Sequence, residues 1–191
     1  MADKVNQSKI STKSGDVIAG NKTVYEQKGI VRISLIRRLF RDLSEEYDNQ
    51  EKIKEICVEL NDYKIERDVI GLDAKLVQAG SSLNYIEDAE VLKQRFSKKL
   101  YTYSEYQSAQ RIFVILLAQV SELFRAKILP KLNNGKSVTE LDEDIYTEII
   151  QPLNELINKE ASEDNVLYIS SEEIRGMLYY LTGRCHIKWV A

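Results

Sequence analysis

After about the first two dozen residues, apolar side chains recur at helical spacing along the chain. Ile36, Leu39, Phe40, Leu43 and Tyr47 form one face, with Arg37, Arg38, Arg41 and Asp42 opposite. Asp48 to Glu51 has capping-box form and predicts a second amphipathic helix buried through Ile53, Ile56, Cys57, Leu60 and Tyr63. Gly71 and the Gly80-Ser81-Ser82 run bracket a short helix carrying Leu72, Leu76 and Val77. Ile86, Ala89, Leu92, Phe96 and Leu100 predict a long helix. Thr102 to Glu105 then reads as a box launching the most apolar one. From Ile112 to Leu117 that helix is hydrophobic on every side. This predicts a central helix, or one buried between subunits, ending near Pro130 and the Asn133-Asn134-Gly135 turn.

An acidic helix follows, with Leu141, Ile145, Ile149, Leu153 and Leu156 on one stripe and Pro152 set to kink or split it. Val166 to Ile169 reads as extended. Ser170 to Glu173 is another capping box, opening a last helix on Ile174, Met177, Leu178 and Leu181 that Gly183 stops. The closing CHIKWVA alternates and is compatible with an extended C-terminus. The fold expected is all-α: an irregular multi-helix bundle in one domain over residues 24–191. Residues 1–23, rich in Ser, Thr, Asn, Lys and Gly, read as an extended or flexible tail.

Composition supports this picture: 43% hydrophobic and 30% charged residues with only eight glycines and two prolines suit long helices. The net charge of −3 hides an acidic third. Glu140 to Arg175 holds eleven acids and two bases, a solvated helix face or a surface for a basic partner. The two cysteines make no disulfide framework, residues 1–20 show no signal-peptide pattern, and no apolar run is long enough to span a bilayer. A cytoplasmic protein without membrane association is the expectation.

Catalytic chemistry is sought without success. Gly15 to Thr23 approaches a P-loop, but Asn21 puts Lys22 and Thr23 one residue out of register, and no apolar strand precedes them. His186, the only histidine, sits beside Cys185 with Cys57 far off, so no four-ligand zinc spacing exists. The acids Glu87, Asp88 and Glu90, and likewise Asp142, Glu143 and Asp144, lack nuclease or calcium-loop patterns. No enzyme activity, cofactor or metal is expected. Eleven tyrosines are more informative: Tyr101, Tyr103 and Tyr106 cluster, as do Tyr179 and Tyr180, either as an interface or as core-edge packing.

Two short segments carry a family resemblance. GDVIAGNK resembles the G-D-x-x-A-G-(D/N)-K element that opens many small proteins of prokaryotic conflict systems. IRGMLYYLTGRCHIKWV resembles the close of the C-terminal domains of ABC three-component systems, which include Lamassu-type anti-phage defence. Gly176, Met177, Leu178, Leu181, Thr182, Gly183, His186 and Trp189 stand where that pattern has them. The resemblance implies a subunit held by an SMC-like ABC ATPase, an effector nuclease or another effector. With no effector domain ahead of the helices, an adaptor or accessory role is expected. Partner contacts are assigned to Gly15, Asp16, Val17, Ile18 and Gly20, whose short apolar strip could pair between copies and make a homo-oligomer, and to Tyr103, Tyr106, Tyr179, Tyr180, His186 and Trp189. For His186 and Trp189 the alternative is a folded-back tail that completes the core. Two other functions are weighed: nucleic-acid binding or regulation through Arg37, Arg38 and Arg41, and an unrecognised enzyme built on Cys57 or His186.

Overall fold

The computed structural model describes residues 23–67, 70–161 and 165–189, with side chains from residue 35 onward. The Gly15-to-Gly20 strip, the P-loop near-miss and the proposed tail therefore lie outside the described residues. Among the described residues every regular element is helical, as expected. These are α1 (Thr23–Asp48), α2 (Val58–Lys64), α3 (Leu72–Gln78), α4 (Leu83–Tyr103), α5 (Gln107–Leu123), α6 (Leu129–Asn133), α7 (Asp142–Ile145), α8 (Gln151–Ala161) and α9 (Ser171–Gly183).

The tightest pairing is α4 on α9, and Gly176 makes it possible. A Cβ there would fall 2.6 Å from the Leu92 carbonyl oxygen and 2.9 Å from Phe96 Cβ. Phe96 then packs edge-on against Phe113 and Tyr180, with ring centroids 5.9 and 5.4 Å away. As its all-round apolarity predicts, α5 is central, packing on α1, α2, α4 and α9, while α8 closes the other side against α1 and α9. The C-terminal residues fold back irregularly into this core. Trp189 is fully buried 5.0 Å from the Phe124 ring, and its indole N–H donates to Thr182 Oγ1 at 2.9 Å.

Both prolines lie within continuous helical runs, so the chain does not stop at Pro130. A proline ring collides with the carbonyl of residue i−4 and offers no N–H to the helix. Here the i−4 residues, Ala126 and Glu148, each fall in a π-helical turn, Phe124–Ile128 before Pro130 and Tyr146–Ile150 before Pro152. The wider turns change the hydrogen-bond register, and helix continues to Asn133 and Ala161.

Four helix ends share one device. At α3 the N–H groups of Gly80 and Ser81 donate to the carbonyls of Val77 and Leu76, with Gly80 at φ +81. This is a Schellman closure around a left-handed residue. It recurs at Gly135 (φ +88) after α6, and at two residues that are not glycine, Gln50 (φ +56) after α1 and Cys185 (φ +63) after α9. So α9 ends at Gly183 as expected, but Cys185 takes the left-handed position.

Three local expectations are corrected. Asp48–Glu51 opens no helix: the α1 closure at Gln50 intervenes, and residues 51–57 run as a non-helical strap to α2. Thr102 lies inside α4, so Thr102–Glu105 is not a box either. The Glu46 carboxylate of α1 instead accepts from the Ser108 N–H at 3.0 Å and its hydroxyl at 2.6 Å, serving the α5 N-terminus from a distance. Val166–Ile169 is a turn rather than extended, with Tyr168 at φ +45 and its N–H on Asn165. The Ser170–Glu173 capping box, by contrast, forms as read.

Candidate docking groove

A groove of about 900 Å³ opens between α1, the 51–57 strap and α5. Its walls are Leu35 and Leu39 from α1, Ile53, Ile56 and Val58 from the strap and the start of α2, and Val114 and Ile115 from α5. Val58 is 74% exposed, and Ile53 and Ile56 are more than a third exposed, which is unusual for aliphatic side chains gathered in one place. Lys54 and Arg111 balance Glu55 and Glu59 on the lining, so the groove presents apolar surface with little net charge.

Gln110 holds the strap in place. Its side chain is 1% exposed, and its amide makes three bonds to backbone. The Cys57 N–H donates to Oε1 at 2.6 Å, while Nε2 donates to the carbonyls of Glu55 at 2.9 Å and Ser104 at 2.7 Å. A glutamine amide thus pairs with residues 55 and 57 much as a neighbouring strand would. The Ile53 N–H donates to the Glu105 carbonyl at 2.7 Å, and Lys52 pairs with the Glu105 carboxylate at 2.5 Å. With its backbone engaged in this way, the strap cannot form the helix its apolar spacing suggests, and Ile53 and Ile56 face the groove.

The strap also borders a tyrosine cluster. Tyr47, Tyr103 and Tyr106 lie with ring centroids 5.6 to 6.4 Å apart, and Lys52 Nζ sits 5.9 Å over the Tyr106 ring. Tyr106 is buried and Tyr103 half-buried, its hydroxyl donating to the Val166 carbonyl at 3.2 Å. Tyr179, Tyr180 and Trp189 lie inside the chain's own core. Tyr179 donates to the Tyr85 hydroxyl at 2.9 Å, and burial, then the Tyr179 neighbour, push the Tyr85 phenol well above its usual range. His186 packs on Tyr63, ring centroids 5.2 Å apart, away from the groove lining. Burial, then the charge of Arg67, hold its imidazole below the usual histidine range, and Nε2 has no hydrogen-bond partner among the described residues.

The charge patterns are largely absorbed within the fold. Arg37 pairs with the buried Glu160 at 3.1 Å and Arg41 with Asp42 at 3.3 Å, leaving Arg38 exposed beside them. In the acidic third, Asp144 takes Lys131 and Lys136, Glu148 takes Lys127, Glu172 takes Arg95, Glu173 takes Lys99 and Asp142 takes Arg175. Among the described residues no group of three or more His, Cys, Asp or Glu side chains could hold a metal, and no helix is long and apolar enough to cross a membrane.

Fold and site together define an all-helical domain with an apolar groove on its described surface. Residues 71–189, more than half the chain, match the family model for C-terminal domain 9 of the ABC-three component (ABC-3C) systems. The chain belongs to that family and is a component of an ABC-3C defence system. No curated protein and no solved structure matches it. The matched region supplies α5, one wall of the groove. The α1 and strap wall lies outside the match.

Proposed function

We propose that this chain is a non-catalytic accessory or adaptor subunit that holds a protein partner of its system, an SMC-like ABC ATPase or an effector, in the groove. The occupant is an apolar-faced helix of that partner, since the cleft is lined by aliphatic side chains and close to neutral, and an amphipathic helix lays its apolar face into such a groove. One observation carries the reading: Gln110 commits a buried amide to hold Ile53 and Ile56 at a surface where they serve no core. Membership of a multi-component system supports a protein rather than a small-molecule occupant. The groove is built jointly by the family domain and by α1 with the strap. Partner choice therefore resides in residues 35–58 as much as in the domain. Co-expression with an SMC-like ABC ATPase and an effector of an ABC-3C system tests this: a stable complex of defined mass is expected, and a chain that stays alone at micromolar concentration with every component contradicts it.

A further inference from the structure

The geometry points to a covalent modification site at Lys75 and Cys185, an oxidative lysine–cysteine bridge through a single oxygen atom that ties α3 to the end of α9. This stands apart from the groove and does not depend on it. The two residues are 110 positions apart in sequence, yet Lys75 Nζ lies 2.7 Å from Cys185 Sγ. An N–H···O bond is commonly about 2.9 Å long, and sulfur is the larger acceptor, so an ordinary N–H···S contact is longer still. A separation this short matches nitrogen and sulfur bonded to one shared oxygen.

Both partners are held from independent directions. Lys75 projects from α3 and also donates to the Thr182 carbonyl at 2.7 Å, inside the last turn of α9. Cys185 occupies the left-handed position of the α9 closure, where its N–H is fixed on Thr182 and the following N–H on Leu181. That backbone turns the thiol back toward α3, a role glycine could not fill. Each residue is more than nine-tenths buried, which keeps bulky thiols and reductants away. A cleft lined by Gly71, Leu72, Ala74, Gly183 and Arg184, neighbours of the pair on both elements, gives a small oxidant an approach.

The oxidant is dioxygen, and the step balances. One N–H bond of the Lys75 amine, the Cys185 S–H bond and the O–O bond break. N–O and O–S bonds form, and the second oxygen leaves as water. Nitrogen and sulfur each give up two electrons, which supplies the four that dioxygen takes. The bridge closes a chain loop of more than a hundred residues, so the oxidised protein should resist unfolding.

Intact-mass analysis of the full chain after aerobic and anaerobic incubation, with Cys57→Ser removing the other thiol, tests the proposal. The expected aerobic product gains one oxygen and loses two hydrogens, roughly +14 Da, and dithiothreitol reverses the change once the chain is unfolded. Trypsin then leaves residues 68–93, uncut at Lys75, joined to residues 185–188. Melting of the oxidised form should shift upward by several degrees, and Lys75→Arg should abolish both mass change and shift. An unchanged aerobic mass overturns the proposal. So does oxygen added to Cys185 alone with Lys75 still cleaved, or a direct N–S bond recognised by loss of two hydrogens without oxygen.

Discussion

Replacing Gln110 by leucine tests how the groove is built, because it preserves volume while removing all three backbone bonds of the amide. Cys57 N–H and the Glu55 carbonyl lie in a partly exposed strap, where water can replace the lost partner, so each costs about 0.5–1 kcal/mol. The Ser104 carbonyl faces Gln110 in a buried contact that water does not reach, and orphaning it costs about 1–3 kcal/mol. The expected loss of stability is therefore about 2–5 kcal/mol. The strap can also detach without global unfolding. The strap loses two of these bonds, about 1–2 kcal/mol, so at about 1.4 kcal/mol per tenfold, exchange of the Ile53 and Cys57 amides should accelerate by roughly five- to thirtyfold, with little change in the α4 amides. Urea denaturation measures the first quantity and amide hydrogen exchange the second. Stability within about 0.5 kcal/mol of the parent, together with unaltered exchange over residues 53–57, would refute the assigned role.

Other consequences follow from particular contacts. Gly176→Ala should cost about 2–4 kcal/mol in a denaturation experiment, because its Cβ meets the α4 backbone at Leu92 and that backbone cannot move without parting α4 from α9. Gln50→Gly should raise stability by about 0.5–1 kcal/mol in the same assay, since the left-handed closure of α1 costs any residue with a Cβ. His186 gives a pH dependence with a definite sign. Its pKa is lowered by folding, so the unfolded chain binds the proton more readily, and the stability it contributes is present above about pH 6.5 and lost as pH falls through the folded value. Melting temperature against pH should flatten over that window in His186→Gln, and an identical profile would refute the assignment.

Elements governed by their own periodicity were legible in the sequence, and those governed by distant partners were not. The α4, α5, α8 and α9 stripes bury most of the residues their spacing picks out, with Leu92 and Leu156 only partly buried, and Ser170 with Glu173 caps α9 using atoms within one turn. Ile53, Ile56, Cys57 and Leu60 have equally good helical spacing, yet only Leu60 is fully buried, because residue 110 captures the strap. One signal pointed there. Gln110 falls on the stripe of Tyr106, Ala109, Phe113 and Leu117, and a polar residue on the buried face of the most apolar helix needs partners in the core. Nothing local announced Glu46 at the start of α5, nor the two π-helical turns that let helix pass through proline. The tyrosine pair at 179 and 180 was ambiguous for a related reason: α9 is buried on nearly all sides, so periodicity could not separate an interface from a core.

The account rests on the groove as a docking surface, and Val58→Asp probes it most directly. Val58 is exposed, lines the groove and begins α2, where a carboxylate is favourable to the helix, so the variant should fold like the parent. Val77→Asp, also exposed, on α3 and away from the groove, is the control. Equilibrium binding of the purified ATPase and effector to each should show the Val58 variant weakened at least about tenfold, with the control unchanged. Parent-like affinity in the Val58 variant, beside a complex that forms normally, would contradict the claim.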